Sequence, residues 1–280
     1  RNFLKIENLV GSDRHSFLTS GDWNQDGRID ILLGSRSGEI FAFENRADKG
    51  TDWYQLKFPI LEKNKRQYSS PVLSDIDADG DLDIISGNKS GKLEWILNRG
   101  TGKKPDWVVH DVNLSQIDVG SFSTPLLNDM DGDRDQDLLV GNKKGLIIYY
   151  ENQGNKKSPQ FVLRSTRISG FQMKASSAPT FWKWNEDEHP DLVIGGREGF
   201  LSLISHLPIK SSPALREWTL EAEHWQNIKA IGYSIPHFSD FNSDNKSDLL
   251  IGDEQGNLLF WKNGGTKKTP ETKQDSTLVL

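Results

Sequence analysis

The chain has 280 residues, a net charge of −6 and no cysteine. The lack of cysteine excludes a disulfide framework, a zinc–thiolate site and a thiol nucleophile. No apolar run approaches the roughly 18–20 residues of a membrane helix, so no membrane span is expected. The sequence begins at Arg1 rather than Met, which we interpret as a processed or trimmed form.

The first predicted strand is residues 1–10, in which apolar and polar residues alternate. Five similar units follow it, and each contains a nine-residue acidic turn. The clearest turn, residues 75–83, has an acid at every odd position and Gly80 at the sixth. The turns begin at positions 22, 75, 129, 183 and 240, so the steps are 53, 54, 54 and 57 residues. A nearly constant period of this length indicates a repeat architecture.

Each unit repeats the same order of residues around its turn. A serine lies six residues before every turn, a proline lies four before in four of the five units, and glycines lie twelve and sixteen after the turn begins. The two glycines predict a hairpin between apolar strands. A third strand ends at asparagine in four units, and a basic loop then leads to an outer strand that opens with an aromatic residue. No stretch has a convincing helical period.

Four short strands in each of five units predict a five-bladed β-propeller, an all-β fold. The fifth unit has Thr272 where an aromatic residue should open its outer strand, whereas Phe3 has no unit of its own. We therefore expect residues 1–10 to close the last blade. Residues 1–265 would form one domain, and residues 266–280 a tail or the last outer strand. The alternative is part of a seven-bladed ring.

The acidic turns predict metal sites with hard oxygen ligands, which suit Ca²⁺. Positions 1, 3, 5 and 9 offer side-chain oxygens, and position 7 offers a backbone carbonyl. About four Ca²⁺ ions are expected. The candidate ligands are Asp22, Asn24, Asp26, Arg28 and Asp30; Asp75, Asp77, Asp79, Asp81 and Asp83; Asp129, Asp131, Asp133, Asp135 and Asp137; and Asp240, Asn242, Asp244, Lys246 and Asp248.

Two alternatives to these calcium sites fit less well. An EF-hand requires glutamate at position twelve, where these turns have Leu33, Ser86, Val140 and Ile251. Magnesium demands a smaller and more regular octahedron. The turns at Asp75 and Asp129 offer four carboxylates and the other two offer three, so their affinities should differ.

The fourth turn begins with Lys183 instead of a carboxylate. One hypothesis is that its ammonium group replaces the ion by pairing with Asp187 and Asp191. The other is a degenerate, solvated loop. Arg134 and Asn245 stand where a glycine would best supply the positive φ of position six, and arginine tolerates this conformation less well than asparagine.

The chain resembles the FG-GAP/VCBS repeat family. The resemblance rests on Asp-x-Asp-x-Asp-Gly-x-x-Asp followed by apolar-apolar-x-Gly, and on Tyr-Tyr-Glu-Asn-x-Gly, as in residues 129–154. It implies that the turns bind calcium between the first and second strands of a blade, and that the protein recognises partners. Members of this family usually have seven blades, so five would be a departure.

Two faces of the predicted propeller could carry recognition. The ion-turn face holds the acidic turns and the lysine pairs at 103–104, 156–157 and 267–268, which suit an anionic partner or are ordinary solubilising residues. The opposite face, the hairpin face, holds the glycine hairpins. Candidate ligand-binding residues there are His15, Tyr68, Phe122 and Tyr233, with Ser176 at the matching position of the fourth unit. These aromatic residues either contact a sugar or peptide or pack across the channel.

The function expected from these features is an extracellular, calcium-stabilised module for binding, adhesion or scaffolding that recognises a glycan or protein. Sites of millimolar affinity fill outside cells, so the location would be extracellular, at the cell surface or periplasmic. No pattern supports nucleic-acid binding. No catalytic residues are assigned and an enzyme is not expected. The alternative is a propeller of a secreted polysaccharide-degrading enzyme, which would need His224 or His237 beside a lysine or arginine.

Overall fold

The computed structural model describes residues 16–46, 53–56, 60, 67–110, 114–183, 191–207, 217–265 and 272–278. Within these ranges twenty strands form five antiparallel four-stranded sheets. Three single-turn 3₁₀ helices, Leu114–Gln116, Ile168–Gly170 and Trp225–Asn227, are the helical elements of the described chain. The predicted all-β, five-bladed propeller is confirmed.

The first two blades have the same strand order. Blade 1 contains β1 (Phe17–Gly21), β2 (Asp30–Gly34), β3 (Ile40–Asn45) and β4 (Trp53–Gln55). Blade 2 contains β5 (Ser70–Ser74), β6 (Asp83–Gly87), β7 (Leu93–Asn98) and β8 (Trp107–His110).

The other three blades repeat that order. Blade 3 contains β9 (Thr124–Asn128), β10 (Asp137–Gly141), β11 (Ile147–Asn152) and β12 (Phe161–Ser165). Blade 4 contains β13 (Ala178–Trp182), β14 (Asp191–Gly195), β15 (Leu201–Leu207) and β16 (Glu217–Ala222). Blade 5 contains β17 (Ser234–Ser239), β18 (Asp248–Asp253), β19 (Leu258–Asn263) and β20 (Thr272–Leu278).

The outer strand of blade 5 corrects one prediction. β20 pairs with β19, with Thr272 opposite Asn263 and Leu278 opposite Leu258. The last blade therefore takes its fourth strand from residues 272–278, and residues 1–10, predicted to fill this position, lie outside the described residues. A strand pairs through backbone hydrogen bonds, so the missing aromatic residue at Thr272 did not prevent pairing. Five blades complete the ring, so the seven-bladed alternative is wrong.

The first strand of every blade lies innermost. β1, β5, β9, β13 and β17 contact one another in this order, and β17 also contacts β1. The prolines predicted to stand where no N–H is needed all lie on these edge strands, at Pro71, Pro125, Pro179 and Pro236. Proline is tolerated on an edge strand because the N–H that it lacks would point away from the ladder.

Neighbouring blades are joined where the serine and the glycine recur in each unit of the repeat. The next blade packs on a glycine at the end of each second strand, or one residue before the end in β18; a Cβ built on Gly87 would lie 2.0 Å from the carbonyl oxygen of Ser123. Ser123 Oγ also donates to the carbonyl of Lys92 at 2.7 Å and accepts the N–H of Asn88 at 2.8 Å. The serine therefore fastens its own inner strand to the hairpin of the preceding blade.

The core lies between the blades. Five clusters of buried apolar side chains each draw on two neighbouring blades, including the pair formed by blades 5 and 1. The second strand of each blade is buried along its whole length. Because these strands leave the acidic turns directly, the turns are anchored to the most buried part of each blade.

Candidate metal centres

The first residue of each complete acidic turn organises the loop. Asp22 accepts the backbone N–H of Asp26 at 2.9 Å on one oxygen and that of Gly27 at 2.8 Å on the other. Asp75 and Asp240 accept the N–H groups of the corresponding residues. Asp129 instead accepts those of Gly132 and Arg134. The turn is therefore folded around this carboxylate, which fixes where the later carboxylates lie.

The last acid of each turn is buried at the start of the second strand. Asp30, Asp83, Asp137 and Asp248 are at most 1% exposed. One oxygen of each accepts, at 2.8–2.9 Å, the N–H of the asparagine that ends the third strand of the blade. These asparagines are Asn45, Asn98, Asn152 and Asn263. The other oxygen of Asp83 and of Asp137 accepts the N–H of the second residue of its turn, Ile76 or Met130.

Burial makes these four carboxylates hard to ionise without a cation. It raises the pKa of Asp30 and Asp83 to about 7, and that of Asp137 and Asp248 to about 6. The neighbouring acids of each turn raise the pKa further through charge repulsion, whereas the asparagine N–H lowers it. The attraction of a bound cation would offset both the desolvation and the repulsion penalties.

The second and third turns bring three acids together. One oxygen from each of Asp75, Asp77 and Asp79 lies within 4.8 Å of the others, and the same holds for Asp129, Asp131 and Asp137. Asp77 Oδ1 is buried and has no hydrogen-bond partner. A buried carboxylate oxygen without a partner needs a positive charge. The donor set is entirely oxygen, so these residues fit a hard divalent cation such as Ca²⁺.

Further hydrogen bonds and burial act on the acids of these two turns. Asp133 Oδ1 accepts the N–H of Asp135, and Asp79 Oδ1 accepts that of Asp81, both at 2.9 Å. Burial, followed by the charge of Asp133, raises the pKa of Asp135 to about 6. Asp135 was predicted to supply only its carbonyl, and its buried side chain adds a fifth acid to that turn.

The first turn contains a cation of its own. Arg28 Nη2 lies 2.6 Å from Asp26 Oδ2, and its Nε donates to the carbonyl of Asn45. This guanidinium occupies one oxygen of a proposed ligand. Asp30 Oδ2 is nevertheless buried without a hydrogen-bond partner. The turn can therefore hold an ion, but Arg28 competes with it.

The fifth turn is also partly neutralised. Asn242 Nδ2 donates to Asp248 Oδ2 at 2.6 Å, so its amide must rotate before its oxygen can act as a ligand. Lys262 Nζ lies 3.9 Å from Asp244 Oδ2, and Asp244 Oδ1 accepts the N–H of Lys246. The first and fifth turns thus have fewer free acidic oxygens than the second and third, in the order that the ligand count predicts.

Two positions of the acidic turns have positive φ: position six, as the sequence predicts, and position four, which it does not predict. Arg134 and Asn245 have φ of 75° and 62°, so both adopt the positive φ expected at position six. Position four is also left-handed, at Gln25, Ala78 and Ser243. The sequence analysis did not identify position four, because three of its residues are neither glycine nor asparagine.

The fourth turn lies mostly outside the described residues, which resume at Asp191. Lys183 is exposed and Asp191 is fully buried at the start of β14. The hypothesis that Lys183 pairs with Asp187 and Asp191 depends on residues 184–190, which lie outside the described residues, and it stays a prediction.

The aromatic residues predicted at the channel mouth lie on the axis. Tyr68 and Phe122 contact each other edge to face, with ring centroids 4.7 Å apart, and pack with Phe17, Ala178 and Ile235. We call these five residues the axial plug. Blades 2 and 3 contribute the ring seven residues before their turns, whereas the other blades contribute a side chain two residues later. Packing across the channel, the alternative to ligand contact, is therefore what the structure shows for Tyr68 and Phe122.

The other three mouth positions differ. Tyr233 is half-buried beside a cavity of about 20 Å³ under the plug, and Ser176 lines the same cavity. Ser176 Oγ is buried without a hydrogen-bond partner. His15 lies outside the described residues.

One cavity on the hairpin face has the composition that the enzyme alternative required. His224 stacks on Phe200 with centroids 4.0 Å apart, and both line a cavity of about 70 Å³ together with Arg197 and Lys174. Lys174 pairs with Glu198 at 3.3 Å. His237, the other candidate, lies in the channel and bonds Ser20.

One family match covers the first two turns. Residues 22–86 match the sequence model of the FG-GAP-like repeat family. This part of the chain is therefore similar to an FG-GAP-like repeat. The matched residues contain both the turn with a competing arginine and the turn with three converged acids.

Two known proteins are similar to the chain more broadly. Human cartilage acidic protein 1 is 24% identical over 196 residues, which cover 64% of this chain and 28% of that protein. A solved structure described as BBS1N in complex with ARL6DN, soaked with lead, aligns over 96% of this chain and 70% of its own, with 13% identity and a TM-score of 0.38. Among the described residues of this chain, no helix is long and apolar enough to cross a membrane.

Proposed function

We propose that this propeller is a calcium-stabilised binding module that recognises a protein or glycan partner. The observation that carries the proposal is the convergence of three acids in each of the second and third turns, beside the buried and unpartnered Asp77 Oδ1. The FG-GAP-like repeat supports the same function, because the propeller fold with this repeat is typical of binding and adhesion modules.

The chain's own residues hold each turn in a shape that receives an ion. The first acid fixes the loop through two backbone N–H groups, and the last acid is held by the asparagine that ends the third strand. When bound, Ca²⁺ supplies the positive charge that the converged acids lack. Because only the folded chain brings these acids together, each site stabilises the fold by about 2.7 kcal/mol at a hundredfold excess of Ca²⁺ over Kd.

The location that fits this proposal is extracellular, at the cell surface or periplasmic. Calcium sites in extracellular modules typically have Kd values of about 10⁻⁴–10⁻³ M, which are filled outside cells and largely empty in cytosol. We propose about four ions for the whole ring, with higher affinity in the second and third turns than in the first and fifth.

Calorimetric titration with Ca²⁺ tests the proposal, together with the melting temperature in Ca²⁺ and in chelator. We expect about four binding events of unequal affinity and a melting temperature that falls on chelation. Mg²⁺ at the same concentration should restore little of that loss. A melting temperature that is the same in Ca²⁺ and in chelator would end the proposal.

The enzyme alternative retains one specific observation, the cavity that joins His224 with Arg197 and Lys174. A glycan array and a sugar-release assay on the same oligosaccharides separate the two functions. Binding without release of sugar supports the module. Release of sugar that His224→Ala abolishes would favour the enzyme.

A further inference from the structure

A blind channel runs along the axis of the propeller. It has a volume of about 280 Å³, and its walls come from the inner strands of all five blades. Ala178 and Ile235 of the axial plug form its closed end together with Ser70 and Thr124, whereas Asn128 and Phe238 lie at the other end, beside the acidic turns. The channel therefore opens toward the ion-turn face.

Backbone groups of the inner strands face this channel because these strands are sheet edges. The N–H of Leu73 donates to Thr19 Oγ1 of the neighbouring inner strand at 3.4 Å, and so it points away from β6. Backbone groups two residues apart on a strand point in the same direction. Pro71 is two residues before Leu73, so its nitrogen and carbonyl also point away from β6 and toward the axis.

The same geometry applies around the ring and makes the wall rich in acceptors. The other three prolines pair with their second strands in the same register as Pro71. Each proline leaves a carbonyl at the axis without the N–H that another residue would place there. At this level of the channel, acceptors outnumber donors, which favours a ligand that only donates hydrogen bonds.

Side chains divide the wall into two sides. Blades 2 and 3 contribute an apolar side, formed by Val72, Leu73, Leu126 and Leu127. The opposite side is uncharged and mixes apolar residues such as Phe181 and Phe238 with Thr180 and the pair Ser20–His237, in which Oγ and Nε2 are 2.8 Å apart.

No charged side chain is found among the described residues of this wall, so none repels a cation. Burial lowers the pKa of His237 to about 4, so the ring is neutral at pH 7 and does not repel a positive charge. No lysine, arginine, aspartate or glutamate is among the described residues that line the channel.

We propose that the channel binds a primary ammonium group on an aliphatic chain, the chemistry of a lysine side chain on a partner protein. The ammonium group has three donors and no acceptor, so it matches the carbonyls at the proline level. Its methylene stem matches the apolar side of blades 2 and 3. A carboxylate or phosphate would instead meet carbonyl oxygens. The inference rests on the proposed function as a binding module, but it does not require calcium.

Methyl NMR of the wild-type protein with three six-carbon probes tests the proposal. Hexylamine should shift the methyl signals of Leu73, Leu126 and Leu127, and leave those of Val109 and Leu163 on the outer strands unchanged. Hexan-1-ol should need at least a tenfold higher concentration, and hexanoate should cause no shift. Equal shifts with hexylamine and hexan-1-ol, or none at the channel methyls, would overturn it. So would complete displacement of hexylamine by an equal concentration of K⁺, because the stem would then contribute nothing.

A matched pair of variants adds a second test. Thr180→Lys places an ammonium group inside the channel and should abolish the hexylamine shifts, whereas Thr219→Lys on the exposed outer strand should preserve them. If Thr180→Lys does not fold, the wild-type comparison of the three probes decides. The titration is repeated in Ca²⁺ and in chelator. Loss of calcium stabilisation with hexylamine binding intact would contradict the proposed calcium role alone, and the reverse result would contradict this inference alone.

Discussion

Gln25 Nε2 donates a hydrogen bond to Asp81 Oδ1 at 2.9 Å and thereby joins the first acidic turn to the second. The same nitrogen donates to the carbonyl of Gly80, also at 2.9 Å. The side chain packs against Gly102, where a Cβ would lie 2.1 Å from Gln25 Cδ. Asp81 is the residue whose carbonyl is a predicted ligand. The order of one turn therefore affects the order of its neighbour.

Replacing Gln25 with alanine is expected to weaken calcium binding in the second turn, although Gln25 belongs to the first. Loss of exposed hydrogen bonds of this kind costs on the order of 0.5–1.5 kcal/mol, which corresponds to a two- to tenfold loss of affinity. Calorimetric titration measures the change. Ser243→Ala alters position four of the fifth turn and is the matched control, which should leave the second turn unaffected. Equal affinities for Gln25→Ala and wild type would show that the two turns are independent.

Asp83→Asn is expected to remove one calcium site while preserving the local fold. The amide has nearly the same shape and its oxygen can still accept the N–H of Asn98, but it carries no charge for the ion. The increase in melting temperature on adding Ca²⁺ should therefore be smaller than in wild type. Asp118→Asn, which changes an exposed acid on the hairpin face, should respond as wild type does. If both variants gain as much stability as wild type, Asp83 is not a ligand.

Calcium binding is expected to release protons near pH 6 and not at pH 8. The pKa values of Asp30 and Asp83 are raised to about 7, so these acids are largely protonated at pH 6 and must ionise to bind the ion. Calorimetry in two buffers with different ionisation enthalpies measures the number of protons released. Equal heats in the two buffers at pH 6 would contradict the raised pKa values.

The calcium-free protein is expected to lose stability as the pH rises from about 4 to about 7. An acid whose pKa is raised by folding binds more protons in the folded state over that interval, so each increase in pH favours the unfolded state. Saturating Ca²⁺ should remove most of this trend, because the ion replaces the proton. Melting temperatures at pH 5 and pH 8, in chelator and in Ca²⁺, provide the four values needed.

Ser123→Ala is expected to destabilise the ring at one joint between blades. The substitution leaves the buried N–H of Asn88 without its side-chain acceptor, which costs about 1–3 kcal/mol. Chemical denaturation measures the loss. Ser121→Ala lies two residues away and is the control, because its side chain does not enter the joint. A loss of the same size in both variants would argue against a specific role for Ser123.

The period of the acidic turns was enough to predict the blades, because each turn must leave into a buried strand and that strand defines a sheet. Spacing also predicted which acids converge, since Asp75, Asp77 and Asp79 lie together as their alternation implies. Contacts between units could not be predicted from the sequence. Gln25 reaches a different blade, and the rings of Tyr68 and Phe122 fill space left by small side chains such as Ala178. Such relationships depend on how blades face one another, which no single repeat encodes.

The prediction that residues 1–10 close the last blade was wrong for a related reason. An aromatic residue was taken as the marker of an outer strand. Phe3 is aromatic and Thr272 is not, so residues 1–10 were assigned to the last blade. The ladder between β19 and β20 depends on backbone groups, which every residue of 272–278 supplies. Side-chain patterns are therefore weakest as a guide where a strand lies at the rim and packs least.

Among the described residues, no strand is shared between blade 1 and blade 5. Their boundary is held by Ser16 Oγ, which donates to the carbonyl of Gly256 at 2.9 Å, by the bond between Ser20 and His237, and by the buried apolar cluster that includes Leu18 and Phe241. Two intact sheets can therefore part here without the loss of any ladder hydrogen bond. Under tension or at high temperature we expect the circle to become an open arc at this boundary before any individual sheet unravels.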